Sequence, residues 1–153
     1  MSIIDQTMQW VFQYTEEHGG PCAQSREFAC VVPEWAYYYA KYADKHPRDD
    51  TRAAASKDPR WAYYYARAVD KCPRDDTRAT ACRSPEWSYY YALLVDECPR
   101  DDTRAAASKD PRWAFRYVRD VDKCPRDDTR APVMIQEPPL VVVLSGLTTM
   151  LSL

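Results

Sequence analysis

Pairs of adjacent aspartates recur along the chain, and they are the residues best suited to chemistry. Each pair lies in a segment Pro-Arg-Asp-Asp-Thr-Arg that occurs four times at intervals of 26 residues. Two neighbouring carboxylates can act as acid and base or bind a cation. In one segment Arg74 and Arg78 flank the two aspartates, and an aspartate and an arginine three residues apart on a helix usually pair. We therefore predict a solvated, mutually neutralising charged row whose Asp–Arg pairs also link successive layers and fix the register of a stack.

A second recurring set consists of one histidine and three cysteines at equivalent positions: His46, Cys72, Cys98 and Cys124. Zinc would require its sulfur ligands within about 4 Å of one another. Packed helical layers lie about 9 to 10 Å apart, which is too far for a shared ion. A disulfide between layers fails a similar test, because bridged Cα atoms lie within about 7 Å. We predict no metal site, no cofactor and no catalytic residue, and interpret this set as small residues packed at a turn.

Aromatic residues form two further rows with the same period, and we expect them on the outward side of the helices. Exposed aromatic patches of this size usually mark a contact surface. The candidate partner-binding surface comprises Tyr37, Tyr38, Tyr63, Tyr64, Tyr89, Tyr90 and Phe115. The alternative is that the rows pack against second helices and belong to the core. If they are exposed, they suit a protein partner or another copy of the chain.

The element that must position these side chains is a repeat of 26 residues. Tryptophans mark it, each two residues after a proline, and they are the predicted structural core of the repeat: Trp35, Trp61, Trp87 and Trp113. A second proline, Pro47 in the first of these units, recurs in step with them. A fixed period of this size is typical of a stacked array.

Each unit is predicted to contain two helices. Asp58 and Ser84 precede prolines at first helical positions, where their side chains can cap the helix. The first helix should run for about twelve residues, to the residue before the next proline. Its predicted buried stripe consists of Trp61, Ala62, Tyr65, Ala66 and Val69. The second helix should begin at Pro73, carry aspartates in its first turn and extend for about nine residues.

These patterns predict an all-α protein, a right-handed α-solenoid of about five helix-turn-helix units. The array spans residues 1–131, with units near 5–29, 30–55, 56–81, 82–107 and 108–131. The first unit is degenerate and resembles a partial cap. Residues 132–153 break the pattern with prolines and an uncharged run, and we interpret them as an irregular apolar tail. The tail would cover the exposed end of the stack or dock onto a neighbouring copy, and disorder or membrane contact are the alternatives.

The segment Pro-Arg-Trp-Ala-Tyr-Tyr-Tyr-Ala-Arg-Ala-Val at residues 59–69 resembles a known type of tandem repeat. That type occurs in uncharacterised phage and bacterial proteins and has the core Pro-x-x-Ala-Tyr-x-Tyr-Ala-x-x-Val. The resemblance covers most of residues 33–131 and implies stacked helical hairpins without established chemistry. More distantly, the aromatic and alanine pattern is similar to tetratricopeptide and Sel1-like repeats, whose periods are longer.

Composition narrows the classes of function. The 21 basic and 23 acidic residues leave a net charge of −2, so neither nucleic acid nor an anionic membrane is an expected partner. The first residues lack the pattern of a secretory signal, which leads us to expect a cytoplasmic protein whose six cysteines are free thiols. Three glycines and two histidines offer little material for phosphate-binding loops or histidine-based catalysis.

We therefore predict a non-enzymatic repeat scaffold that mediates protein–protein interaction or self-assembly, with a protein or another copy of the chain as partner. One alternative is a helical repeat that binds single-stranded RNA by stacking its tyrosines and arginines on bases. Another is an enzyme that uses the repeated Asp/Arg row. An enzyme would require a singular departure from the repeat at the reacting residues, and the sequence contains no such constellation.

Overall fold

The computed structural model describes residues 3–123, and every regular element in that range is helical. The α-helices are α1 (Ile3–Glu17), α2 (Ala23–Ala29), α3 (Pro33–Tyr39), α4 (Asp49–Ala55), α5 (Pro59–Tyr65), α6 (Asp75–Ala81), α7 (Pro85–Tyr91), α8 (Asp101–Ala107) and α9 (Pro111–Tyr117). Helices α3, α5, α7 and α9 each continue into one π-helical turn: Ala40–Asp44, Ala66–Asp70, Ala92–Asp96 and Val118–Asp122. The predicted tail at 132–153 and the end of the last unit lie outside the described residues.

The helices are arranged as hairpins that stack on one another. Within a unit, α3 packs on α4, α5 on α6 and α7 on α8. Between units, α3 packs on α5, α5 on α7 and α7 on α9, and each even-numbered helix packs on the odd-numbered helix that follows it. The predicted all-α solenoid of repeated 26-residue hairpins is therefore confirmed.

Proline and a capping carboxylate begin the first helix of a unit. Pro59 occupies the first turn of α5, and the Asp58 carboxylate accepts hydrogen bonds from the backbone N–H groups of Arg60 (2.9 Å) and Trp61 (3.4 Å). The predicted cap at Ser84 is wrong, because its side chain makes no capping hydrogen bond at the start of α7. A proline in the first turn, whose missing N–H costs nothing, begins that helix without help.

The first helix has the predicted length but an unpredicted end. The α-helical and π-helical parts together run from Pro59 to Asp70. Lys71 then ends the helix in the left-handed region, with φ of 55°. The equivalent residues of three other units have the same conformation, and none of them is glycine: Lys45, Glu97 and Lys123.

The second helix begins two residues later than predicted, at Asp75 and not at Pro73. Arg74 remains extended, and its backbone N–H donates to the hydroxyl of Tyr91 in the next unit (3.0 Å). The Arg74 carbonyl in turn accepts from the same hydroxyl (3.1 Å). The extended residue is thus stabilised by a contact between units, and α6 covers Asp75–Ala81. The predicted acidic first turn is confirmed.

Tyrosines and alanines fill the interior, with the tryptophans at its edge. In α5 and its π turn, Ala62, Tyr65, Ala66 and Val69 are buried as predicted, but Trp61 is only half-buried. Tryptophan therefore does not form the centre of a unit. The large apolar side chains that are completely buried in every unit from the second onward are the third tyrosines of the aromatic triplets and their equivalent in α9: Tyr39, Tyr65, Tyr91 and Tyr117.

Candidate functional site

A buried tyrosine hydroxyl joins each unit to the preceding one. The Tyr91 hydroxyl lies 2.8 Å from Oγ1 of Thr77, besides its two contacts with the Arg74 backbone. In the first interface Ser25 replaces the threonine and lies 2.6 Å from the Tyr39 hydroxyl. Burial raises the pKa of three of these hydroxyls, which keeps them protonated and able to donate: Tyr65, Tyr91 and Tyr117.

The arginine that follows each threonine forms the second contact between units. Arg78 donates from Nη2 and Nε to the Asp96 carboxylate of the next unit at 2.9 and 3.1 Å, and from Nη1 to Asp75 at 2.6 Å. Its guanidinium also lies 5.7 Å from the centre of the Tyr91 ring. The predicted pairing of an aspartate and an arginine three residues apart within a helix is confirmed. Between units the prediction is only partly correct, because the carboxylate that Arg78 binds lies outside the predicted row and the arginine is buried, not solvated. Equivalent pairs between units are Arg26–Asp44, Arg52–Asp70 and Arg104–Asp122.

The charged groups of this contact satisfy one another. The side chains of Arg78 and Asp96 are 5% and 2% exposed. Burial opposes the charge of Arg78, but its hydrogen bonds to Asp96 and Asp75 raise the pKa above its ordinary value. Burial raises the pKa of Asp96, and the hydrogen bond from Arg78 limits that rise. These charges hold neighbouring units together.

The first aromatic row is interior, so its predicted exposure is wrong for three members: Tyr37, Tyr63 and Tyr89. Tyr63 is 3% exposed because the next unit covers it, with the ring centre of Trp87 at 5.6 Å and that of Tyr90 at 6.0 Å. Phe115, at the equivalent position in α9, is 65% exposed. The alternative that the row belongs to the core holds wherever another unit follows in the described part of the chain.

The second aromatic row lies at the surface and is half-buried: Tyr38, Tyr64 and Tyr90. Between the third and fourth units these rings border an open groove of about 290 Å³, lined by Tyr63, Tyr64, Arg67, Glu86, Trp87, Tyr90 and Leu94. Leu94 is exposed beside the groove, and Tyr42 is exposed at the equivalent position two units earlier. We call this side of the stack, with Tyr38, Tyr42, Tyr64, Tyr90 and Leu94, the aromatic face.

The histidine and cysteine positions do not form a cluster. Cys72 and Cys98 are free and exposed, so the prediction that they pack at the turn is wrong. His46 is also exposed and lies 2.6 Å through Nδ1 from the carbonyl oxygen of Asp44. Cys124 lies outside the described residues. Within residues 3–123 no three His, Cys, Asp or Glu side chains are grouped so that they could hold a metal ion.

The sequence analysis did not identify two groups that complete each contact between units: the aspartate carboxylate that binds the arginine and the threonine hydroxyl that contacts the tyrosine. Asp96 is one of four aspartates that lie three residues before the second proline of a unit: Asp44, Asp70, Asp96 and Asp122. The threonine partner is also repeated, as at Thr77. The recurrence of this aspartate and this threonine could have identified them, because a residue that is repeated in every unit usually takes part in a contact that every unit makes. Sequence spacing alone does not show that the two meet across a boundary.

Comparison of the chain with family models, characterised proteins and solved structures finds no match.

Among residues 3–123, no helix combines the length and the apolar character that crossing a bilayer requires.

Proposed function

We propose that this chain is a non-enzymatic repeat scaffold that acts through contact with other proteins, including other copies of itself. One observation carries the proposal: the polar and aromatic residues that recur in every unit hold the units together, whereas the large exposed apolar side chains differ between units. Tyr42 and Leu94 are such exposed residues, at a position that holds Ala68 and Asp120 in the other units. In a repeat scaffold we expect the interior residues to recur from unit to unit and the apolar surface residues to vary.

The aromatic face has the chemistry of a protein-binding surface. Tyrosine supplies a large apolar ring and a polar hydroxyl, and it is enriched where proteins meet. The groove beside Tyr64 and Leu94 has a volume of about 290 Å³, enough for one or two side chains of a partner. Arg67 and Glu86 border it and can orient polar groups.

The surface of α9 around Phe115 is a second candidate contact. Phe115 is 65% exposed, whereas its equivalents Tyr37, Tyr63 and Tyr89 are at most 5% exposed. No described residue covers this ring as Trp87 covers Tyr63. An open end of a helical stack presents an apolar layer that another protein can cover.

Site-specific photo-crosslinking in cells that make the protein tests this proposal. A photoreactive residue at position 94 samples the aromatic face, and one at position 115 samples the end. A matched control carries it at Arg83, which is exposed in the loop between α6 and α7. We expect discrete protein adducts from position 94 or 115 and none from position 83. Equal, diffuse labelling at all positions, or no adduct at any, would refute contact through these surfaces.

A further inference from the structure

The inner interfaces show which group fits the exposed end of α9. At three of the four interfaces between described units the first tyrosine of a unit packs on the tryptophan of the next, with ring centres 5.5, 5.6 and 5.5 Å apart: Tyr37–Trp61, Tyr63–Trp87 and Tyr89–Trp113. At the first interface Phe12 holds this position, and its ring packs on Tyr39 at 6.2 Å. Phe115 continues this row and lacks the hydroxyl. The group that would complete the contact is therefore the tryptophan of one more repeat unit.

The first unit of the chain carries such a tryptophan. Trp10 is 46% exposed, and Val11 beside it is buried, as Ala36 and Ala62 are beside their tryptophans. Tyr14 occupies the position of the interior tyrosines, and its hydroxyl donates to the side chain of Gln24 at 2.9 Å. Helix α1 thus retains the tryptophan and the tyrosine with which a unit contacts the one before it.

Charge favours the same pairing of the two ends. At an inner interface the Tyr89 hydroxyl donates to Asp120 of the next unit at 2.7 Å. The residue of α1 equivalent to Asp120, three positions after its tyrosine, is Glu17, which is exposed. In the same register Glu17 would reach Phe115, whose ring has the guanidinium of Arg119 at 5.8 Å and the exposed Arg116 next to it. Arg119 already pairs with Asp120 at 2.6 and 2.8 Å, so Arg116 is the basic group that Glu17 would meet.

We propose that α1 of a second copy docks on α9 of the first in the register of an inner interface, with Trp10 against Phe115 and Glu17 beside Arg116. This inference rests on the proposed function and names its partner. The contact is heterologous and does not close, so it assembles copies head to tail. Gly19 stands where inner units have the buried aspartate, so the docked contact lacks that ion pair.

Residues 132–153 are the competing occupant of this end. That segment contains no aromatic residue and one charged residue, Glu137. It therefore offers no ring to pack on Phe115, whereas helix α1 offers both Trp10 and Glu17.

The test is the mass of the full-length protein, measured by light scattering over a range of concentrations in reducing buffer. We expect the mass to rise above the 17.8 kDa of one chain as concentration increases. Arg116→Glu and Glu17→Lys should each lower the association constant about tenfold, because each places like charges together. An equimolar mixture of the two variants should associate again, because each end then meets its complement. The matched control is Arg83→Glu, which reverses the charge of an exposed residue that lies outside both ends.

Several outcomes would overturn the inference. One is a mass that stays at 17.8 kDa at every concentration. Another is association that neither reversal weakens, or that the mixture does not restore, which would point to the apolar segment 132–153 or another surface. Circular dichroism shows whether each variant is folded. If the mass is constant while position 94 gives crosslinks to another protein, the proposed function stands and only head-to-tail docking fails.

Discussion

Each repeated arginine, such as Arg78, binds one buried carboxylate and one exposed carboxylate. Asp96 is 2% exposed and Asp75 97% exposed, yet both accept hydrogen bonds from Arg78. An exposed ion pair contributes little to stability, because water screens its charges. A buried carboxylate that loses its partner pays the full cost of its desolvation. The same arginine therefore makes one contact that matters for stability and one that hardly does.

Replacing Arg78 separates these two contacts. Arg78→Met leaves Asp96 buried without a counter-charge, and we expect the free energy of unfolding to fall by about 3 to 5 kcal/mol. Asp75→Asn, which removes only the exposed partner, should change it little. The double variant Arg78→Met/Asp96→Leu should recover much of the loss, because no charge then remains buried. Urea denaturation of the variants measures all of these effects, and equal losses in both single variants would contradict this account.

Buried tyrosine hydroxyls make the stack sensitive to high pH. Burial, together with the hydrogen bond to Asp120, raises the pKa of Tyr89 to about 12. An unfolded tyrosine titrates near pH 10. The folded state therefore keeps a proton that the unfolded state loses, and the free energy of unfolding falls as the pH rises from about 10 through about 12.

A single variant isolates this contribution. Tyr89→Phe should be less stable at neutral pH, because it loses the hydrogen bond to Asp120, but its stability should decline less steeply above pH ~10. Urea midpoints of both proteins across the alkaline range measure the difference in slope. Parallel declines would mean that Tyr89 does not contribute to the pH dependence.

The helices show which features local sequence determines. Proline excludes helical geometry from the residue before it, so the spacing of Pro59 and Pro73 predicted the length of α5 with its π turn. The start of α6 was predicted wrongly, because Tyr91, 17 residues further along the chain, fixes the backbone of Arg74. The exposure of the aromatic rows was undecided for the same reason. A helical wheel gives the direction of Tyr63 but not the tryptophan that covers it.

Left-handed residues end the first helices at a cost that glycine would avoid. Lys71 and Glu97 have φ of 55° and 54°, a conformation that costs a residue with a Cβ atom about 1 kcal/mol. Glu97 also places a negative charge at the C-terminal end of a helix, where the helix dipole disfavours it. Lys71→Gly should raise the free energy of unfolding by up to about 1 kcal/mol, and Glu97→Gly by ~0.3 to 1 kcal/mol more. Thermal and urea midpoints measure both changes, and destabilisation by either glycine would show that the lysine or glutamate side chain contributes more than the strain costs.

At the scale of the molecule, the stack is a series of similar interfaces. Each described unit meets the next through the same tyrosine, hydroxyl, arginine and aspartate, so one unit can replace another without a new kind of contact. This equivalence was predictable from the 26-residue period, whereas the pairing of residues across each boundary required the structure. In such arrays stability is close to a sum over units and interfaces.

Deleting one whole unit should shorten the stack and leave its architecture intact. Removal of residues 56–81 joins Ala55 to Cys82, so that Thr51 faces Tyr91 and Arg52 faces Asp96, the residue types of every inner interface. The helical circular dichroism per residue should be unchanged, the urea midpoint should be lower, and the denaturant m value should fall by about one sixth, in proportion to the surface lost.

Removal of half a unit, residues 56–68, is the matched control. It joins α4 directly to Val69, deletes a first helix and leaves Thr51 and Arg52 without their partners in register. We expect that variant to lose cooperative unfolding over the units that flank the junction, because a hairpin without its first helix buries too little surface to offset the entropy of folding. If both deletions destabilise the protein equally, the units are not interchangeable, and the repeated contacts do not determine the stack.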